Sequence, residues 1–135
     1  MVVHHTPVLP FRVQFKPGPR SYDQVVYAVK KAVISGALRP GDSFPSVRVM
    51  SQELGINPNT AQKVIAALAE ERILIVKPGI GTVLAEGAPA SHEERKALLG
   101  QDLERVVVEA QRLRLGCAEL VQAVEQHWTR LKGKQ

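Results

Sequence analysis

Between Asn57 and Lys63 the chain reads Asn-Pro-Asn-Thr-Ala-Gln-Lys, and five of these seven side chains can hydrogen-bond. Asn and Gln carry a donor and an acceptor side by side, which pairs bidentately with the major-groove edge of adenine, and Lys reaches guanine or a phosphate. Such groups act together only if a rigid element holds them on one face. Asn57 is a strong N-cap and Pro58 suits the first helical position, where its missing N–H would be unpaired anyway. Ala61, Val64, Ile65 and Leu68 then recur at helical spacing and predict a buried face over a helix ending near Glu71. Asn59, Thr60, Gln62, Lys63 and Ala66 are left on the outer face. The helix start, with free N–H groups at the positive end of the dipole, favours a phosphate. Arg48, upstream in a shorter helix, points away from that helix's apolar side and can contact phosphate or a base. Solvation alone also produces polar outer faces, so the surrounding elements decide the reading.

Those elements follow from capping and periodicity. The opening, His4 to Pro19, has four prolines and reads as an extended arm, with Phe11–Phe15 alternating as a short strand would. Ser21 and Gln24 have the spacing of a capping box. Tyr22, Val25, Val26, Val29, Val33 and Ile34 mark the apolar face of a first helix that stops at Gly36. Pro40-Gly41-Asp42 is turn chemistry. A second helix runs from about Ser46 to Leu54, with Val47, Met50 and Leu54 on one face and Gly55 as its stop. The second and third helices form a helix-turn-helix pattern. Ile73–Val76 and Thr82–Leu84 then read as two strands around the turn Lys77-Pro78-Gly79-Ile80-Gly81, which makes the unit a winged helix. Residues 86–90 read as a linker.

The last third is helical. Ser91 and Glu94 have capping-box spacing, and Leu99, Leu103, Val106, Ala110 and Leu113 alternate steps of four and three, a coiled-coil-like seam. Leu115-Gly116 breaks the helix. A last helix from about Ala118 carries Leu120, Val121, Val124, Trp128 and Leu131 on one side. Two amphipathic helices of this size bury little alone, so they are expected to pack on each other and on a second copy, with Trp128 as a core or dimer anchor.

Charge divides along the same line. Residues 1–85 hold ten Lys/Arg and five Asp/Glu, whereas residues 86–135 hold eight of each, so the whole formal charge of +5 lies in the first part. A basic module joined to a neutral one points to a polyanion partner for the former and another task for the latter.

The stretch YDQVVYAVKKAVISGALRPGDSFPSVRVMSQELGINPNTAQKVIAALAEERILIVKPGIGTVL resembles the GntR family of bacterial winged-helix repressors, most specifically through SGALRPGDSFPSVRVMSQELGINPNT. The resemblance covers about residues 11–84. The short two-helix tail and GINPNT resemble the YtrA subfamily. The resemblance implies operator binding as a dimer, with contacts at Arg48, Asn57, Asn59, Thr60 and Gln62 and at the wing Gly79. Lys63 is added from the helix face, and Lys77 is the one wing cation. The chain departs from the usual family pattern at Arg72, where many members have Gly, at Pro78 and Ile80 in place of basic wing residues, and at Val49 in place of an acid.

Other chemistry is sparse. His4-His5 is an adjacent pair without a third ligand nearby and reads as surface. His92 reads as a first-turn residue, and His127 has no trusted carboxylate partner. Cys117, the single cysteine, excludes an intramolecular disulfide and a thiolate zinc site, and reads more readily as a small packing residue than as a redox switch. No glycine-rich phosphate loop, nucleophile elbow or paired carboxylates are present, so neither catalytic nor metal residues nor a cofactor are expected. No apolar run approaches the ~18 residues of a membrane span, and the first twenty residues lack a secretory pattern, so a cytoplasmic protein without membrane contact is expected.

The expected architecture is mostly α with a small β-hairpin: a winged helix-turn-helix with its arm over 1–85 and a two-helix dimerisation hairpin over 91–132. Leu99, Leu103, Val106, Ala110, Leu113 and Trp128 are the dimerisation candidates. The expected function is sequence-specific regulation of transcription by a homodimer on an inverted-repeat operator in double-stranded DNA, most simply repression. Two other readings stay open: a non-specific architectural or protein-interaction module, and a sensor binding a small-molecule effector at the helical dimer interface.

Overall fold

The computed structural model describes residues 9–86 and 90–132. The His4-His5 pair lies outside them. The chain divides into two compact units, with the division after residue 87.

In the first unit, α1 (Ser21–Ser35), α2 (Val47–Leu54) and α3 (Pro58–Glu70) precede an antiparallel hairpin of β1 (Leu74–Lys77) and β2 (Gly81–Leu84). The helix borders follow the capping chemistry. Ser46 Oγ accepts from the Val49 N–H at 3.2 Å, and Asn57 Oδ1 accepts from the Asn59 N–H at 2.7 Å. Gly36 and Gly55 close α1 and α2 in the left-handed region that an L side chain resists, at φ 86° and 65°. Helix α3 lies against both α1 and α2. Val25, Val29, Met50, Ala61, Val64, Leu68 and Leu74 meet in one core with no solvent exposure or nearly none.

Several expectations are corrected. Ser21 does not cap α1. Arg20 is the N-cap residue, and no side chain caps the helix. Gln24 turns to the arm instead: its Oε1 accepts from the Lys16 N–H at 2.8 Å, and its Nε2 donates to the Lys16 and Pro19 carbonyls at 3.0 and 2.8 Å. An arm without a partner strand leaves its backbone groups unpaired, and a carboxamide satisfies both groups of Lys16 at once. The strand expected at 11–15 is absent for the same reason. Phe11 leaves the arm to stack on Phe44, with ring centroids 5.8 Å apart, and Leu9 and Val13 pack beside it. Ile34, expected on the apolar face of α1, is 61% exposed, and Ile65 is only partly buried.

The wing is registered Leu74↔Leu84 through Lys77↔Gly81, with its turn through Gly79 at φ 79°. Residues 41–44, expected only as a turn, run alongside β2. The Phe44 N–H donates to the Thr82 carbonyl and the Leu84 N–H to the Asp42 carbonyl, both at 2.8 Å, and Ser43 bridges Val83. Phe44 and Leu38 are thereby buried, and the wing is tied to the helical body.

The second unit holds α4 (His92–Ala97), a π-helical stretch (Leu98–Asp102), α5 (Leu103–Arg112) and α6 (Cys117–Leu131). Ser91 Oγ accepts from the Glu94 N–H at 3.1 Å, the forward half of the expected box. Arg112 pairs with Glu109, whose carboxylate raises the guanidinium pKa further. The expectation that the tail helices bury against each other is not met: Ala110 is the only buried residue among 90–132. Trp128 is 65% exposed, so it is no core anchor within the protomer, and Cys117 is exposed rather than packed. Among the described residues no helix is long and apolar enough to cross a membrane.

Candidate nucleic-acid interface

Helix α3 holds its polar residues where the packing of Ala61, Val64 and Leu68 leaves them. Asn59, Gln62 and Lys63 are exposed and Thr60 is half-buried. Asn57 is exposed as well, but its carbonyl oxygen is committed to the helix cap. Bidentate pairing with adenine needs both ends of the carboxamide; among the described residues Asn59 and Gln62 keep both free, while Asn57 keeps only its NH2 to donate.

Arg48 occupies the first turn of α2, two residues past the Ser46 cap, and is exposed. Among the described residues no ion pair engages Arg48, Lys63 or Lys77. An unpaired guanidinium held on a packed helix keeps its five donors for an incoming acceptor. The wing presents Lys77 and Gly79 beside exposed Ile75, Val76 and Ile80, the last 73% accessible. A Cβ added at Gly79 would meet nothing within 4 Å, so packing does not demand this glycine; its positive φ does.

The dimerisation candidates lie along the second unit. Leu99, Leu103, Val106 and Leu113 are exposed and Ala110 is buried. Sequence reasoning missed the π-helical stretch. The Leu103 N–H reaches the Leu98 carbonyl, an i→i+5 bond, so the stretch acts as a one-residue insertion. Leu98 is thereby brought one turn below Leu103 and flanks the seam together with Leu99. Gly100, at the centre of the stretch and a poor helix former, was the available signal. Among the described residues no group of three His, Cys, Asp or Glu stands close enough to hold a metal.

The family model for bacterial regulatory proteins of the gntR family matches residues 21–84, from the start of α1 to the end of the wing. The HTH-type transcriptional repressor YtrA of Bacillus subtilis is 32% identical over 97 residues, covering 68% of this chain and 75% of YtrA. The chain belongs to the GntR family. It is a YtrA-like GntR transcription regulator with a DNA-binding winged helix. The uncharacterized HTH-type transcriptional regulator YhcF of B. subtilis is 30% identical over 112 residues, 83% of this chain and 93% of YhcF. In fold, this GntR chain is similar to a transcriptional antiterminator from Listeria monocytogenes EGD-e, with a TM-score of 0.82 over 93% of this chain and 94% of that one at 24% identity. These relatives are regulators of transcription rather than enzymes.

Proposed function

We propose that this GntR regulator is a homodimeric repressor that reads an inverted-repeat operator. Residues 1–85 form the DNA-binding part and residues 91–132 the dimerisation part. Each protomer lays α3 in a major groove. Asn59 and Gln62 face base edges, Arg48, Thr60 and Lys63 contact bases or backbone, Asn57 donates from the helix start, and Lys77 and Gly79 bring the wing to the duplex.

The observation that carries this reading is the unpaired, outward polar face of α3 and Arg48 on a rigid three-helix core. Repression is supported by the likeness to a relative named as a transcriptional repressor. Dimerisation is supported by the second unit, whose leucines, valines and Trp128 stay exposed while only Ala110 is buried. Apolar surface of that extent is stabilised by a partner, and a two-fold dimer reads two related half-sites.

Selection of bound sequences from a random duplex pool at ~150 mM salt, near physiological, tests the proposal. An inverted repeat is the expected result, and Arg48→Ala should weaken binding to it by about 1–3 kcal/mol. Recovery of no motif, with binding abolished by modest added salt, would replace operator reading with backbone attraction alone.

A further inference from the structure

The start of α1 and α3 border an open groove of about 670 Å³, whose α1 side the DNA-reading assignment above does not use. One wall is Arg20, Ser21 and Tyr22, at the start of α1. The other is the α3 stripe that begins with Thr60 and Lys63. Ala66 and Ala67 line the next turn of α3, where their small side chains leave room in the groove. Arg20 and Lys63 are both exposed, and among the described residues neither is in an ion pair. Two cations outside any ion pair and the hydroxyl-bearing Ser21, Tyr22 and Thr60 thus line one groove from separate elements.

The acids are arranged to leave that end free. Glu70 lines the groove but lies ten residues beyond Thr60, about 15 Å along a helix rising 1.5 Å per residue. Glu71 is held by Lys30 at 2.9 Å, and Asp23, in the first turn of α1, is not part of the lining. Arg20 itself is held in place. Gln24 grips the backbone on its N-terminal side through Lys16 and Pro19, which fixes the extended residue that opens the groove.

We infer that this groove seats a backbone phosphate of the bound duplex, with Arg20 and Lys63 as its cations and the Ser21 and Thr60 hydroxyls as further donors. Lys63 thereby serves the backbone rather than a base. The seat lies beside the reading face, because Thr60 and Lys63 belong to both. The inference rests on the proposed DNA-binding reading and adds to it Arg20, a contact outside the helix-turn-helix and the wing. A phosphate contact positions the protein and carries no sequence information.

The test uses the full chain with two duplexes of equal length, one carrying the selected operator and one of random sequence, over a salt series. Arg20→Gln removes the charge, Arg20→Lys keeps it, and Glu70→Gln removes the groove's acid; both positions are exposed. With Arg20→Gln the slope of log affinity against log salt should fall by about 0.9 per protomer on both duplexes. The operator-to-random affinity ratio should hold, Arg20→Lys should restore the slope, and Glu70→Gln should tighten binding to both duplexes. An unchanged slope and affinity with Arg20→Gln would overturn the inference. So would a loss confined to the operator, since that marks a base contact. A wild-type protein without operator preference would overturn operator reading alone, because the slope on random duplex still decides the groove.

Discussion

Arg72 sits at φ 63°, in the left-handed region, at the junction between α3 and β1. The turn is held by the backbone: the Arg72 N–H donates to the Ala69 carbonyl at 3.0 Å and the Ile73 N–H to the Leu68 carbonyl at 2.9 Å. The side chain is exposed, and among the described residues it makes no ion pair. A non-glycine residue in this region costs about 1–2 kcal/mol. Glycine removes that cost and keeps both backbone bonds, but its greater freedom in the unfolded chain costs roughly 0.4–1 kcal/mol. Arg72→Gly should therefore stabilise the protein by about 0.5–1 kcal/mol, a rise of roughly 2–6 °C in Tm for a domain of this size. Thermal unfolding of the full chain at one fixed protein concentration measures it, since association shifts Tm by mass action. Arg72→Ala is the control, because it removes the charge and retains the strained φ. If Arg72→Gly melts no higher than Arg72→Ala, the junction stores no strain and the reasoning is wrong.

Asn57→Ala should destabilise the protein by about 1 kcal/mol through loss of the α3 cap. Asn57→Asp should keep that stability and weaken DNA binding, so denaturation and binding measured together separate the two roles of the residue. Val106→Asp should yield monomers by sedimentation and much weaker operator binding; an unchanged dimer would remove the seam from the interface. Lys77→Ala should lower the salt slope of DNA binding by about 0.9 per protomer with little effect on operator preference, and an unaltered slope would mean that the wing cation does not reach the backbone.

The candidate site was legible largely because it is built from local signals. Asn57-Pro58 marks the start of α3, and the spacing of Ala61, Val64 and Leu68 assigns inside and outside to every residue between them. Arg48 was legible in the same way, from Ser46 and the spacing of Val47, Met50 and Leu54. The same local chemistry gave Asn57 as the cap, and the bond it makes leaves Asn59 and Gln62 as the side chains with both carboxamide ends free. Arg20 gave no signal, since its significance depends on the meeting of α1 and α3, residues about forty positions apart in the chain.

What the sequence determined by itself was the order of helices and hairpin and the main buried positions of α1, α2 and α3. Caps, glycine stops and apolar period act within a few residues, and those interactions are the same wherever the segment lies. The tertiary structure decided what no short window contains. Gln24 had a cap within reach and took the arm backbone instead, because unpaired groups at Lys16 and Pro19 were brought beside it. Phe11 abandoned a strand-like alternation to stack on Phe44, and residues 41–44 became a partner for β2 rather than a simple turn. In the tail, the seam read from a regular heptad gained Leu98 when a π-helical stretch shifted the phase at Gly100. For Gln24, Phe11 and residues 41–44 a longer-range contact outweighed a local preference, since burial of an aromatic ring or pairing of a backbone group contributes more than one cap or one strand residue.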